Sequence, residues 1–376
     1  MSQPRIVIAA GGTAGHVVPA LAVADALRAD GARVAFVGGE RAETQLVPAA
    51  GYELHTLAVE GLSRTHPLRA LRALALATVA LARARALLSR LAPDAVMGGG
   101  GYVAGPVGLA ALGMRVPLVL TEADSHLGLT NRLLAPRARR VCLAFPLPGR
   151  EGPRYRVTGR PVPAFAPDRA RARERLAIAA EQTCVLVFGG SLGARSINAA
   201  ALEAFAQAPF HVLHVCGTRD YAELAARVPA SPGGYDLREY LDLGSFADAL
   251  AAADLVVARA GGSVFEIAAH GLPAILVPYP HASADHQSAN ARWMTQAGAA
   301  VTIADGELTG ARLRAQVDAL LGDRARLRAM ARACAGLARP QAAREVAREL
   351  LEAAGASAAR GGEERAAGAS ARTGAR

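Results

Sequence analysis

The chain has 376 residues, enough for two ordinary domains with a core each, and carries 42 basic side chains against 32 acidic ones, a formal net charge of +10. Hydrophobic residues make up 52% and aromatics 4%, and every basic side chain is arginine, so a P-loop, whose G-x-x-x-x-G-K-[ST] needs a lysine, is excluded. The four cysteines, Cys142, Cys184, Cys216 and Cys334, are far apart and form no C-x-x-C, which argues against zinc sites and disulfide frameworks and fits a reducing cytosol.

RIVIAA (5–10) reads as a strand, followed by the glycine turn GGTAGH (11–16) and the helix HVVPALAVADALRAD, ended by Gly31. The chain runs straight into that strand, so no signal peptide is expected. RVAFVGG (33–39) and ELHTLAV (53–59) read as strands, and 67–91 as a long arginine-rich helix. DAVMGGG (94–100) enters a second turn, GGGGYVAGP (98–106), and VPLVLTE (116–122) and RVCLAF (140–145) are further strands. Such alternation builds an open parallel sheet covered by helices on both faces. After the proline-rich RPVPAFAP (160–167), a natural hinge, the pattern restarts. TCVLVFGG (183–190) enters a third turn, GGSLGARS (189–196), HVLHVCG (211–217) and YDLREYL (235–241) follow, DLVVAR (254–259) enters a fourth, RAGGSVFE (259–266), and PAILVPY (273–279) closes the series. A helix, QAAREVARELLEAA (341–354), follows Pro340, and the tail 356–376 has the composition of a disordered segment. The expected architecture is α/β: two Rossmann-like parallel-sheet domains facing a cleft, 1–160 with helix 341–354 packed back on it, and 161–340.

Ligands of open α/β sheets bind beyond the carboxyl ends of the strands, where all four glycine turns fall. Glycine lets backbone N–H groups approach a ligand, and a helix N-terminus adds partial positive charge, so these turns suit phosphates or sugars. The first turn, with Gly11, Gly12 and Gly15, lacks the G-x-G-x-x-G spacing of dinucleotide sites. His16 follows it at a helix start, where imidazolium is disfavoured and a neutral ring can take a proton from a hydroxyl. A packing or capping histidine satisfies the same spacing, and the residues alone leave both readings open. No H-E-x-x-H or similar spacing occurs, so a required divalent metal is not expected, and with the dinucleotide spacing also missing no organic cofactor is expected. The charge favours anionic partners, but aromatic interleaving is absent, so nucleic acid is not expected among them. In HPLRALRALALATVALARARALL (66–88), Arg69, Arg72, Arg83 and Arg85 accompany an apolar stripe, which fits a helix on anionic lipid or one packed on the sheet.

GGTAGHVVPALAVADAL, GGGGYVAGP, GGSLGARSIN, Glu266 with IAAHGLPAILVPYPHASADHQSANA, and the closing AGAA together resemble the MurG family from about residue 5 to 350. The resemblance implies the GT-B glycosyltransferase fold. It implies inverting transfer of GlcNAc from UDP-GlcNAc to the 4-hydroxyl of undecaprenyl-pyrophosphoryl-MurNAc-pentapeptide, in peptidoglycan synthesis. The enzyme would be peripheral, on the cytoplasmic face of the bacterial cell membrane, with anionic inner-leaflet lipid as a further partner.

By the same resemblance, Thr13, Ala14 and Gly15 line the donor, and His16 is assigned as base. Gly190 and Ser191 form the donor-phosphate turn, joined by Arg195 unless that is a surface charge. Leu243 meets uracil, Glu266 the ribose hydroxyls, and Gln287, with Asn290 beside it, the GlcNAc hydroxyls. The acceptor diphosphate would meet Gly12, Gly15, Gly100, Gly101 and Tyr102, with Thr130 and Asn131 as further candidates. The sequence departs from the family at three places. Asp124 stands where an amide contacts the donor; Pro163 replaces an arginine, which Arg160 would supply; and 259–266 is one residue short. The alternatives are another GT-B sugar transferase with a lipid or soluble acceptor, or a UDP-GlcNAc 2-epimerase.

Overall fold

The short apolar runs become two parallel sheets. The computed structural model describes residues 3–57, 67–164, 168–190, 192–228, 231–282 and 285–355, with backbone alone over 67–77. The chain divides into two compact units, Met1–Pro163 with the chain from Arg339 onward, and Ala164–Ala338.

In the first unit the elements are β1 (Arg5–Ala9), α1 (Ala14–Ala29), β2 (Arg33–Gly38), α2 (Glu43–Ala49), β3 (Glu53–Thr56), α3 (Pro67–Leu91), β4 (Ala95–Gly98), α4 (Ala104–Gly113), β5 (Leu118–Glu122), α5 (Leu129–Leu134), β6 (Arg140–Leu143) and β7 (Tyr155–Val157). The strand order is β3-β2-β1-β4-β5-β6-β7, all neighbours parallel. Central strands are covered on both faces, so they read as continuous apolar runs rather than alternating ones. Ile6, Val7, Ile8 and Ala9 are all buried, with Ile8 paired to Phe36 on one side and Met97 on the other.

The second unit holds α6 (Arg169–Arg175), β8 (Cys184–Phe188), α7 (Arg195–Phe205), β9 (His211–Val215), α8 (Tyr221–Ala225), β10 (Tyr235–Arg238), α9 (Leu243–Ala252), β11 (Leu255–Ala258), α10 (Val264–Ala269), β12 (Ala274–Leu276), α11 (His286–Gln296), β13 (Ala300–Thr302), α12 (Gly310–Gly322) and α13 (Arg324–Leu337). Its order, β10-β9-β8-β11-β12-β13, repeats the first sheet strand for strand up to the sixth. Both follow the doubly wound order 3-2-1-4-5-6.

β4 and β8 stop at Gly98 and Phe188, two residues short of the apolar runs, and the chain has left extended geometry by Gly100 and Gly190, where φ is 96° and 95°. The three-residue strands β7 and β13 and the short α2 escape pattern reading, being too brief to show a period.

The last helix, α14 (342–355), belongs to the first unit. Its Glu349, 3% exposed, accepts from Arg140 Nε at 2.6 Å and Arg156 Nη1 at 2.8 Å on β6 and β7. A carboxylate this buried is tolerable because two guanidinium groups meet it; removing both would leave its charge uncompensated. Among the described residues no helix is long and apolar enough to cross a membrane.

Candidate active site

In each sheet the strand order reverses beside the first strand, between β1 and β4 and between β8 and β11. Such a reversal opens a crevice at the carboxyl ends of the strands, because the flanking connections leave to opposite faces. The first and second glycine turns end β1 and β4, and the third and fourth end β8 and β11.

In the first unit, Thr13 is extended at φ −130°, ψ 158° and starts α1, which makes His16 its third residue. Pro19 lies in the same helix. It has no N–H to give the carbonyl four residues back, so Gly15 O is left without its helical donor. Arg160 Nη2 supplies one at 2.5 Å. This places a guanidinium beside His16. Burial and then Arg160 hold the imidazole pKa below its ordinary 6.5, outweighing the opposite pull of Asp124 and Glu43. The other wall of the ring is Gly100, where a Cβ would lie 2.6 Å from His16 Nδ1, so any side chain there would displace the imidazole. Behind the ring is a cavity of about 20 Å³, lined by His16, Glu122, Cys142, Arg160 and Val346 among others. Thr13 and Gly15 are exposed and Ala14 half-buried, all on the turn that presents His16.

Two carboxylates brace this corner. Glu43, fully buried, accepts from Gly12 N–H at 2.8 Å and Gly39 N–H at 2.7 Å, and Tyr102 O–H lies 3.3 Å away. Burial opposes its charge, but backbone N–H groups of Glu43, Gly12, Gly39 and Arg41 prevail, and its pKa lies below the ordinary value. Glu122, also buried, accepts from Gly128 N–H at 2.8 Å, Asn131 Nδ2 at 2.9 Å and Asp124 N–H at 3.2 Å. Burial nevertheless pushes its pKa up.

These contacts correct two expectations. Gly12 does not offer its amide to the acceptor, because Glu43 already takes it. Asn131 is buried, and its amide nitrogen serves Thr121 O and Glu122 instead of a ligand. Arg160, expected to stand in for the arginine missing at 163, donates to Gly15 O within the first unit. Thr130 is half-buried on α5 beside Gly105, and Gly101 packs so closely on Gly11 O that only a glycine fits.

In the second unit, no atom of the described residues beyond its chain neighbours lies within 4 Å of a Cβ built on Gly190, in the third turn; Ser191 lies outside the described residues. Gly193 lies against Cys216 O, where a Cβ would approach to 1.8 Å. Arg195, whose side chain is 78% exposed, pairs with Asp220 at 3.2 Å. Asp220 also holds Arg219 at 2.9 Å and Asn198 Nδ2 at 3.2 Å; Arg219 first and then Arg195, against burial, bring its pKa to about 2. Below it, fully buried His214 meets Asn198 Oδ1 at 3.1 Å and Tyr235 O–H at 2.7 Å. Since Oδ1 only accepts, Nε2 carries the proton and Nδ1 accepts from tyrosine.

The fourth turn leads into α10 with Glu266 in its first turn. Gln287 on α11 places Nε2 beside Gly261 and accepts from Tyr279 N–H at 2.9 Å. Asn290 is buried and donates to Ala260 O at 2.9 Å, so it holds the turn rather than lining it, a further correction. Leu243 is half-buried at the start of α9, which packs on the end of β8 through Phe246 and Phe188. Among the described residues no group of His, Cys, Asp and Glu side chains could hold a metal ion.

Glu43, Pro19 and the Asp220 cluster were not singled out from the sequence. Pro19 alone had a readable signal, being a proline four residues after the glycine that precedes His16.

Known proteins resemble this chain along most of its length. The glycosyltransferase family 28 N-terminal domain matches residues 6–143 and its C-terminal domain residues 184–346. A UDP-N-acetylglucosamine--N-acetylmuramyl-(pentapeptide) pyrophosphoryl-undecaprenol N-acetylglucosamine transferase from Moorella thermoacetica is 42% identical over 93% of this chain and 98% of its own. The protein of the same name from Halorhodospira halophila is 42% identical over 92% and 98%. The crystal structure of Acinetobacter baumannii MurG superposes with a TM-score of 0.73 at 31% identity, covering 93% of this chain and all of the other. The glycotransferase of kitacinnamycin, TM-score 0.68 at 21% identity over 93% of this chain and all of the other, shares the fold. With both family 28 domains in order, relatives at 42% identity along nearly the whole chain and a GT-B sheet order in each unit, the chain belongs to the MurG family.

Proposed function

We propose that this protein is an inverting N-acetylglucosaminyltransferase that moves GlcNAc from UDP-GlcNAc to the 4-hydroxyl of undecaprenyl-pyrophosphoryl-MurNAc-pentapeptide, making the disaccharide lipid of peptidoglycan synthesis. The observation that carries it is the match to transferases of that name along more than nine tenths of both chains. In the reaction the acceptor oxygen bonds to the anomeric carbon from one face while the bond to the UDP β-phosphate oxygen breaks on the other. The hydroxyl proton passes to His16, whose burial and neighbouring Arg160 keep the ring neutral and able to receive it. The leaving diphosphate is stabilised at the third glycine turn by main-chain N–H groups and the start of α7. Glu266 accepts from the ribose hydroxyls, since a carboxylate suits two vicinal donors. Gln287 serves the sugar.

The lipid acceptor brings the first unit to the membrane surface. α3, α4 and α5 pack side by side and leave Val79, Leu81, Leu109, Leu129 and Leu133 exposed, Leu133 at 66%. Exposed Arg83, Arg85, Arg115, Arg132 and Arg137 lie on or beside the same helices. Apolar side chains ringed by cations suit an anionic leaflet. The protein acts there as a peripheral enzyme on the cytoplasmic side, without an organic cofactor.

The test is UDP release from UDP-GlcNAc with and without the lipid-linked acceptor. Release that depends on it supports the transferase; turnover of donor alone points to an epimerase. Leu133→Glu should weaken sedimentation with anionic vesicles; equal sedimentation removes the membrane face.

A further inference from the structure

We propose that Glu43 is a positioning residue of the transfer reaction: it fills the first glycine turn as a built-in anion and sets where His16 stands. The proposal rests on the reading of His16 as the base.

Three glycines make room for this one carboxylate and its tyrosine. A Cβ on Gly11 would lie 2.7 Å from Glu43 Oε1, one on Gly38 2.7 Å from Glu43 Cγ, and one on Gly39 2.0 Å from Tyr102 Oη. The two carboxylate oxygens divide their work. Oε2 takes the amide of Gly12, which leads by four residues into His16, and Oε1 takes the amide of Gly39 at the end of β2. Oε1 also meets the Tyr102 hydroxyl, two residues beyond the Gly100 that walls the imidazole. One buried side chain therefore joins the carboxyl ends of β2, β1 and β4, and two of those ends enclose the His16 ring. Convergent amides at a glycine turn are an anion site. Here the protein supplies the anion itself, which directs an incoming diphosphate away from Gly12. The charge also reaches His16, where with Asp124 it opposes burial and Arg160.

The test is Glu43→Gln against Glu43→Asp, read by turnover, by donor KM and by NMR titration of the His16 ring. Glutamine has one accepting oxygen, so its NH2 must face one of the two amides. For Glu43→Gln we expect kcat to fall about tenfold or more with donor KM within about threefold, since a misplacement near 1 Å costs on that scale. The His16 titration should move to lower pH, because a negative neighbour is gone. Glu43→Asp keeps the charge but is one methylene short. Its titration should stay at the wild-type value while kcat falls, and this variant carries the test if Glu43→Gln does not fold. Wild-type kcat in either folded variant, or an unmoved His16 titration in Glu43→Gln, overturns the proposal. If His16→Ala keeps full turnover, the base assignment falls instead; the titration and the exchange rates of the Gly12 and Gly39 amides still decide whether Glu43 holds the turn.

Discussion

The two units share one strand order and one placing of glycine turns, yet they fill those turns differently. In the first, a buried carboxylate takes the amides of Gly12 and Gly39, and a tyrosine closes over it. In the second, no carboxylate among the described residues accepts from an amide of the third turn; Gly193 N–H folds back on Gly190 O at 2.9 Å. The nearby acid, Asp220, holds Arg195, Arg219 and Asn198 instead. A glycine turn is thus a socket for negative charge that the chain either fills itself or leaves for a ligand. The first unit uses its filled socket to fix an imidazole, and the second leaves its third turn without a carboxylate among the described residues, as the proposed diphosphate site requires.

The largest effect should come from the filled side. His16→Ala is expected to lower kcat about a thousandfold while donor affinity changes little, as loss of a general base does. Turnover within tenfold of wild type would break the division of labour. The open side predicts the reverse. Glu266→Ala should weaken UDP binding roughly ten- to a hundredfold, the scale of hydrogen bonds to a charged group, measured by calorimetric titration. Equal affinity would move the ribose elsewhere.

A third effect separates the units by stability. Burial lowers the His214 pKa to about 4, below its ordinary 6.5. The unfolded chain therefore takes up the proton first. The stability is fully present above pH 6.5 and is lost as the pH falls toward the folded value, in all about 3 kcal/mol. His214→Gln should flatten the pH dependence of urea unfolding of the second unit between those values; an unchanged slope would refute the role of the ring.

The smallest effect tests the cation beside the base. Arg160→Gln keeps a donor for Gly15 O but drops the charge, so the His16 pKa and the acid limb of kcat should move to higher pH, opposite in direction to Glu43→Gln. A limb that stays put would mean that Arg160 only props the helix.

The strand–turn–helix rhythm and all four glycine turns were legible, because apolar runs and glycine clusters are local signals. Sheet order was not, and it is sheet order that carries Glu43 to Gly12 across 31 residues of sequence. In ERAETQ that glutamate looks like any surface charge, and only three glycines with no room for a Cβ betray a side chain lodged among them. Asn131 and Asn290 show the opposite error. Both lie in stretches shared with the family, yet both face inward and hold turns in place. Residue type and spacing give proximity to a site, whereas burial decides whether a polar group meets the ligand or the scaffold.

Arg160 stands four residues before Ala164, where the second unit begins, and its neighbour Gly159 lies against Arg339, where the chain comes back. A side chain on Gly159 would come within 2.5 Å of Arg339 Cβ, so the departing and returning segments run together there. The departing one is moored to Gly15 O, the acceptor that Pro19 leaves open. A hydrogen that proline lacks has thus let the start of the chain's own crossing be tied down one residue from the imidazole.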